Sequence, residues 1–179
     1  MFLGFQILWA PWRSKYIQSI SSKSHEKDVC LFCTLPNKPD DESLIVYRGD
    51  NVYVVLNAFP YTSGHLMVVP YKHVNTLEKL TDNELIELMK TINLSIKILR
   101  VALKPEGFNI GINLGRPAGA GIEEHVHVHI VPRWTGDANF MTTIYNTRVL
   151  PMSLKETYTL LKKYFIQYED MKKPSITER

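Results

Sequence analysis

The segment His-Val-His-Val-His-Ile-Val, residues 125–131, constrains the fold more than any other part of the chain. Its side chains alternate between imidazole and aliphatic groups. Successive side chains of a β-strand point to opposite faces, whereas a helix would scatter the three imidazoles around its circumference. Valine and isoleucine also favour strands. The segment therefore predicts a strand with His125, His127 and His129 on one face, about 7 Å apart.

These three histidines are half of the six in the chain, and they titrate near neutral pH. A single histidine of this kind is typical of a metal ligand or of a partly solvated sheet face. Three in register, directly after a glycine-rich loop, indicate a reaction site instead. The loop, residues 115–121, would let backbone amides at Gly119 and Gly121 approach an anion, and Arg116 adds charge. Its spacing matches no phosphate-loop or dinucleotide motif, so a flexible connection explains it equally well.

Length and composition suit a single globular domain of 179 residues, 45% hydrophobic and 22% charged. No apolar run reaches the roughly 18 residues of a membrane span, and the apolar start lacks a basic segment and a cleavage site. The net charge of +3 does not indicate nucleic-acid binding. We therefore expect a cytoplasmic protein with neither membrane nor nucleic acid as a partner.

The pattern of elements predicts an α+β fold. Strands are expected at 44–47, 52–57, 65–69, 108–114 and 125–131, with a loop at 35–43. Capping boxes at Thr81–Glu84 and Ser153–Glu156 open a long helix and a C-terminal helix. Short connections between strands favour an antiparallel sheet of about five strands over a doubly wound parallel one.

Three sections of the chain follow from this reading. Residues 1–29 form an N-terminal arm rich in aromatic and basic groups, which we expect to dock on the body or on a partner subunit. Residues 30–140 form the main domain, and residues 141–179 form a C-terminal helix and tail that pack on it.

The two cysteines, Cys30 and Cys33, are spaced C-x-x-C, which in a cytosolic protein indicates a metal site or a redox pair. Paired thiolates supply half of a tetrahedral zinc site, and two histidines would complete it. His73 and His125, at the ends of neighbouring predicted strands, are the candidates. Two alternatives remain at this point: a zinc ion held by all three histidines of the strand, and cysteines that are simply buried.

The remaining histidines suit phosphorus chemistry. Neutral imidazole attacks phosphorus to give a reactive phosphoimidazole, provided that its proton is held on the other ring nitrogen. The middle histidine, His127, is best placed to attack, and His129 can donate a proton to a phosphate or leaving oxygen.

The motif His-φ-His-φ-His-φ-φ, with φ hydrophobic, resembles that of the histidine triad (HIT) superfamily of nucleotide hydrolases and transferases. Asn57 followed by Gly-His-Leu-Met-Val-Val-Pro at 64–70 looks like the ribose-binding strand and turn of that family, and the similarity covers about residues 28–140. The resemblance implies a HIT-like α+β fold, a homodimer, and cleavage of a nucleotide at its α-phosphate.

The resemblance also implies a role for each matching residue. His127 corresponds to the nucleophile that becomes nucleotidylated, and His129 to the histidine on the phosphate side. Asn57 corresponds to a ribose ligand, Asn113 to a phosphate ligand, and His65 to a histidine near the nucleotide. Related uridylyltransferases hold structural zinc with four ligands, to which the following residues of this chain correspond: Cys30, Cys33, His73 and His125.

One departure from the family pattern bears on the reaction. Hydrolases that resemble the human fragile-site protein carry glutamine four residues before the triad, where this chain has Gly121. Residues 115–141 and the Trp-Ala-Pro-Trp-Arg arm look most like HIT proteins that include diadenosine tetraphosphate phosphorylases. We therefore predict cleavage of dinucleoside polyphosphates, with transfer to phosphate or to water and with magnesium on the polyphosphate as a possible cofactor. The alternatives are a purine nucleoside phosphoramidate hydrolase and a non-catalytic nucleotide-binding protein.

Overall fold

The five strands of the fold form one antiparallel sheet, in the order β1-β2-β3-β5-β4. The computed structural model describes residues 29–145, 147 and 149–172, so the predicted N-terminal arm lies outside the described residues. The strands are β1 (Ile45–Arg48), β2 (Val52–Leu56), β3 (Leu66–Pro70), β4 (Gly107–Ile112) and β5 (Val128–Arg133). The predicted sheet is confirmed, and the histidine strand lies inside it, between β3 and β4.

Two long helices cover one face of the sheet. The first, α3 (Asp82–Leu103), begins at the predicted capping box, in which the hydroxyl of Thr81 accepts from the amide of Glu84. The C-terminal helix α5 (Leu154–Lys172) packs on α3 and β1. Leu161 and Phe165 of α5 are fully buried in the core between these helices and the sheet. None of the helices in the described part of the chain combines the length and hydropathy needed to cross a bilayer.

Two details of the sequence prediction were wrong. Residues 35–43, expected to be a loop, contain a 3-10 turn (Leu35–Asn37) and the short helix α2 (Asp40–Ser43). Pro36 and the acidic residues 40–42 suit the first turn of a helix as well as they suit a loop. The histidine strand also begins later than expected, because β5 pairs with its neighbours only from Val128 onward.

The opposite face of the sheet carries a smaller core and the candidate site. The short helix α1 (Leu31–Thr34) lies on this face and buries Phe32 against Tyr53 and Met67. The hydroxyl of Tyr53 donates to the carbonyl oxygen of Phe32 over 2.7 Å. This bond fixes the segment that carries both cysteines against the sheet. A further short helix, α4 (Phe140–Tyr145), follows β5.

Candidate active site and metal centre

The three histidines of the predicted row share one face, although only His129 lies within β5. The alternate residues Val126, Val128 and Ile130 are buried in the core on the helix side. The row therefore continues upstream of β5 in extended backbone, which a bond from the Val126 amide to the Val74 carbonyl oxygen holds in place. The side chains therefore continue to alternate between the two faces upstream of the residues that pair with neighbouring strands.

His127 presents one ring nitrogen to the protein and the other to the site. Its Nδ1 lies 2.9 Å from the carbonyl oxygen of His125. A carbonyl oxygen only accepts, so the hydrogen resides on Nδ1 and the lone pair on Nε2. Phe32 packs against the imidazole, with ring centroids 4.7 Å apart. Burial lowers the pKa of His127, which keeps the ring neutral and Nε2 available as a nucleophile.

His129 takes its tautomer from a chain of hydrogen bonds that starts at Tyr61. The backbone amide of Tyr61 donates to Nδ1 of His65 over 3.2 Å. Nε2 of His65 must then be the donor in its 3.0 Å bond to Nδ1 of His129. The hydrogen of a neutral His129 ring therefore resides on Nε2. The ring centroids of His127 and His129 lie 4.8 Å apart, so the ring with a lone pair on Nε2 is next to the ring with a hydrogen on Nε2.

A cavity of about 210 Å³ opens over this pair. Part of its lining is apolar and comes from α1 and the segments that follow it, including Phe32, Leu35 and Leu44. Its polar lining comprises the two histidines, an asparagine and two glycines of the loop: His127, His129, Asn113, Gly119 and Gly121. Such a cavity suits a ligand that combines a planar apolar group with an anion.

The structure brings most of the residues predicted from the sequence to this cavity. Asn57 lines it, and its carboxamide nitrogen lies 3.4 Å from Nδ1 of His65. Asn113 donates to the carbonyl oxygen of Gly119 over 3.4 Å. Gly119 has φ of +92°, a conformation that favours glycine. His65 is fully buried and is not among the lining residues, so it reaches the cavity through His129.

The apolar wall of the cavity was not found by sequence reasoning. Phe32, Leu35 and Leu44 lie in or beside the stretch interpreted as a loop, and Tyr61 lies in the connection before β3. Nothing in their spacing marks them as wall residues. A helical signal at 31–43 would have suggested that this segment packs on the sheet.

The second cluster lies beside the row and contains the four predicted metal ligands. One potential ligand atom from each of Cys30, Cys33, His73 and His125 lies within 4.8 Å of the other three. The Sγ atoms of Cys30 and Cys33 lie 3.3 and 3.5 Å from Nδ1 of His125, and Cys33 lies 3.3 Å from Nδ1 of His73. Tetrahedral zinc would hold neighbouring sulfur and nitrogen ligands roughly 3.5 Å apart, so these residues fit the ion.

The tautomer of His125 also fits a metal ligand. Its Nε2 lies 2.9 Å from the carbonyl oxygen of Pro70, so the hydrogen resides on Nε2 and the lone pair of Nδ1 points at the cysteines. Burial raises the pKa of the Cys30 thiol to about 11, so a bound cation is needed to hold that sulfur as thiolate near neutral pH. Burial also lowers the pKa of His125, which favours the neutral ring.

Comparison of the sequence with known proteins identifies a family and several relatives. The model of the HIT domain matches residues 38–136. An AP-4-A phosphorylase of Mycobacterium tuberculosis (strain CDC 1551 / Oshkosh) is 46% identical over 160 residues, which cover 87% of this chain and 82% of that protein. An asymmetrical bis(5'-nucleosyl)-tetraphosphatase of Schizosaccharomyces pombe is 32% identical over 104 residues, covering 58% of this chain and 57% of that protein.

A solved structure adds a geometric match. The crystal structure of a Zn-bound histidine triad family protein from Mycobacterium smegmatis superposes with a TM-score of 0.62 and is 28% identical. The match covers 79% of this chain and 96% of that one.

Proposed function

The chain belongs to the HIT domain family, and on that premise we propose that it cleaves dinucleoside polyphosphates, such as diadenosine tetraphosphate, at the α-phosphate. It is an enzyme of the HIT superfamily, a nucleotidyltransferase or hydrolase. The finer proposal is a two-step reaction through a covalent nucleotidyl group on His127, with phosphate as the preferred acceptor.

A single observation carries this proposal: the adjacent imidazoles of His127 and His129 hold opposite ring hydrogens. His127 offers a lone pair on Nε2, because Nδ1 donates to the His125 carbonyl oxygen. His129 carries its hydrogen on Nε2, because Nδ1 accepts from His65. A nucleophile and a hydrogen-bond donor within one cavity can attack phosphorus and stabilise the charge on the departing oxygen.

In the first step, Nε2 of His127 forms a bond to the α-phosphorus. The bond between that phosphorus and its bridging oxygen breaks, and the electron pair leaves with the oxygen. The Nε2–H of His129 donates a hydrogen bond to this oxygen, which departs as part of the ionised phosphate chain, and the Nδ1–H bond to the His125 carbonyl oxygen stabilises the positive charge on the His127 ring. One displacement thereby becomes two easier ones.

In the second step, an ionised oxygen of the acceptor phosphate attacks the α-phosphorus, and the Nε2–H of His129 donates a hydrogen bond to the incoming phosphate. The phosphorus–nitrogen bond breaks, and its electron pair returns to Nε2 of His127. We propose phosphate as the acceptor, because Gly121 stands where resembling hydrolases carry a glutamine that handles water. The AP-4-A phosphorylase that shares 46% of its aligned residues supports the same choice.

We further propose how the nucleotide lies in the cavity. The base would lie against apolar lining residues such as Phe32 and Leu44, and Asn57 would bind the ribose hydroxyls. Asn113 and the backbone at Gly119 and Gly121 would bind phosphate oxygens. His65 would act through His129, because it is buried behind that ring.

Zinc is the metal that we propose for the second cluster, since two cysteines and two histidines are its preferred ligands. The Nδ1 atoms of His73 and His125 and both sulfurs would hold it. When bound, zinc would supply structure, tying α1 and its N-cap residue to the segment after β3 and to the first histidine of the row. Thiolate ligands of this kind persist in a reducing compartment, which supports a cytoplasmic location.

The sheet offers a surface for the homodimer that the family resemblance implies. Within the described residues β4 is an edge strand, paired with β5 alone, and Ile110 and Leu114 are about 45% and 43% exposed. Such an edge accepts a strand from a second copy. We propose this pairing.

We further propose that magnesium arrives bound to the polyphosphate. Among residues 29–145, 147 and 149–172, the cysteine–histidine cluster is the one group of three or more potential metal ligands.

Product analysis with diadenosine tetraphosphate tests the proposed reaction. Incubation with phosphate should release ADP and ATP, and incubation without phosphate should reduce turnover strongly. Release of AMP and ATP at the same rate with or without phosphate would instead identify water as the acceptor. Faster cleavage of an adenosine phosphoramidate would favour the phosphoramidate hydrolase, and nucleotide binding without turnover of either substrate would favour a binding protein.

A further inference from the structure

A second cavity lies beyond His129, on the same face of the sheet, between β4 and β5. We propose that this cavity, here called the leaving-group trough, binds the phosphate chain that departs in the first step and then the phosphate that accepts the nucleotidyl group. Its volume is about 290 Å³, and it is more open than the first cavity. The inference rests on the proposed function and extends it to the other half of the substrate.

The trough adjoins the first cavity, because Tyr61, Asn113 and His129 line both. For a ligand held at His127, the trough is therefore the neighbouring space on the far side of His129. A dinucleoside polyphosphate needs such an extension, because the first cavity of about 210 Å³ has room for only part of it.

The direction of the reaction points into the trough. In phosphoryl-type displacement the attacking and leaving atoms lie roughly in line with phosphorus. On this face, His127 is followed along the chain by His129, Val131 and Arg133, and the last three line the trough. A phosphorus attacked by Nε2 of His127, with His129 donating a hydrogen bond to the leaving oxygen, therefore releases that oxygen toward the trough. The acceptor of the second step must enter along the same line.

One wall of the trough presents oriented donors. The guanidinium of Arg133 donates to both carboxylate oxygens of Asp137, over 2.6 and 2.8 Å, and to Oδ1 of Asn109 over 2.7 Å. Because a guanidinium only donates, the carboxamide oxygen of Asn109 is fixed toward Arg133. Its amide hydrogens are then turned away from Arg133, where a phosphate oxygen can accept them.

The charge at this wall suits a group that must also leave. Asp137 offsets the positive charge of Arg133, so the wall acts mainly through hydrogen-bond donors. Donors of this kind bind an oxyanion more weakly than an uncompensated arginine would. The trough therefore suits a phosphate chain that is exchanged for a phosphate ion in every turnover.

Gly111 forms the floor of the trough opposite His129. The two residues are partners in the pairing of β4 with β5. A Cβ added at Gly111 would meet no atom within 4 Å, so the space above it is open and a side chain there would stand in the trough. Gly107, on the same strand and the same face, also has open space, but it does not line the trough.

This pair of glycines gives a test with a matched control. We would compare Gly111→Val with Gly107→Val, because valine favours strands and each site has room for it. Calorimetry would measure the binding of AMP, for which we propose the first cavity, and of a methylene-bridged analogue of diadenosine tetraphosphate that cannot be cleaved. Turnover of diadenosine tetraphosphate would give the KM for phosphate, and light scattering and thermal unfolding would monitor assembly and stability.

We expect Gly111→Val to weaken binding of the bridged analogue at least tenfold and to raise the KM for phosphate at least fivefold. AMP binding should stay within twofold, and Gly107→Val should behave as wild type throughout. A folded Gly111→Val variant that binds the analogue as wild type does, or that loses AMP and analogue equally, would overturn the trough. A wild-type chain that binds both nucleotides but turns over nothing would instead overturn the proposed function and leave the binding result to decide the trough.

Discussion

Two neighbouring histidines of the row, His125 and His127, carry their hydrogens on opposite ring nitrogens. His125 donates from Nε2 to the carbonyl oxygen of Pro70, and its Nδ1 lies 3.3 to 3.5 Å from the sulfurs of Cys30 and Cys33. His127 donates from Nδ1 to the carbonyl oxygen of His125 and directs Nε2 into the cavity. Both rings are buried, and burial lowers the pKa of each.

The difference between these two residues comes from the backbone around them. A carbonyl oxygen beside one ring nitrogen selects the tautomer, and the other nitrogen then meets either sulfur or an open cavity. Residue type and burial are the same at both positions, so neither explains the difference. We infer that the backbone carbonyl oxygen beside each ring decides its role. The carbonyl oxygen of Pro70 leaves Nδ1 of His125 for a metal, and that of His125 leaves Nε2 of His127 for phosphorus.

The largest expected effect separates the two histidines by activity. His127→Ala should lower kcat for diadenosine tetraphosphate by at least about 10⁴-fold, as loss of a nucleophile does in other enzymes that react through covalent intermediates. It should keep the zinc content of wild type, because its side chain is not part of the metal cluster. Steady-state kinetics and metal analysis of the same sample measure both. Turnover at the wild-type rate by His127→Ala, or loss of its zinc, would contradict the separate roles of His125 and His127.

The next effect separates them by stability. His125→Ala should bind less than half an equivalent of zinc and should be less stable by about 4 kcal/mol, the value for a ligand at roughly 1,000 times its Kd. For a chain of this size the unfolding temperature would fall by about 8–16 °C. Chelation of wild-type zinc should have the same effect on Tm. A His125→Ala variant with full zinc and an unchanged Tm would remove His125 from the metal site.

Sequence reasoning reached the face of the sheet but not the tautomers. The alternation of residues 125–131 is local, so the shared face of the three histidines was predictable. The four clustered ligands matched the C-x-x-C spacing and the strand ends. The carbonyl oxygen of Pro70, by contrast, lies 55 residues away in sequence, and no pattern places it beside Nε2 of His125. The apolar wall at Phe32 and Leu35 was missed for a similar reason, because its helix is only four residues long.

A smaller effect tests whether the tautomer of His129 is also set by its hydrogen-bond partner, His65. His65→Gln should lower kcat about 10–100-fold, part of the roughly 10²–10³ that one oriented hydrogen-bond donor to developing charge supplies. KM should change little, since His65 does not line the cavity. A changed KM at constant kcat would contradict this, because it would make His65 a nucleotide ligand instead. His65→Asn, whose shorter amide cannot span the same distance, should be slower than His65→Gln.

The smallest expected effect concerns Asp40, which lies outside the metal cluster and does not line the first cavity. Asp40 accepts hydrogen bonds from Arg48 over 2.9 Å and from Lys162 over 2.7 Å. Burial opposes its ionisation, but these two cations hold its pKa below the usual 3.8. Asp40→Asn should cost about 1–2 kcal/mol of stability at neutral pH, with zinc content and kcat unchanged.

The pH dependence of that cost follows from the direction of the shift. A carboxylate whose pKa is lowered on folding contributes stability above its unfolded pKa and loses it as the pH falls through the folded value. Denaturant unfolding of the two chains should therefore differ at pH 7 and converge below pH 3.8. A constant difference across that range would show that the ion pairs are not its source.

The most direct test of the assignment of His127 is to trap the nucleotidyl group during a single turnover. Wild-type protein would be mixed with diadenosine tetraphosphate in the absence of phosphate, quenched in base and mapped by peptide mass spectrometry, with phosphorus NMR to identify the bonded nitrogen. We predict an acid-labile adenylyl group on Nε2 of His127. When phosphate is added before the quench, this group should be released as ADP. An adduct on Nδ1, on His129 or on His125, or full turnover with no adduct in the quench, would contradict the account.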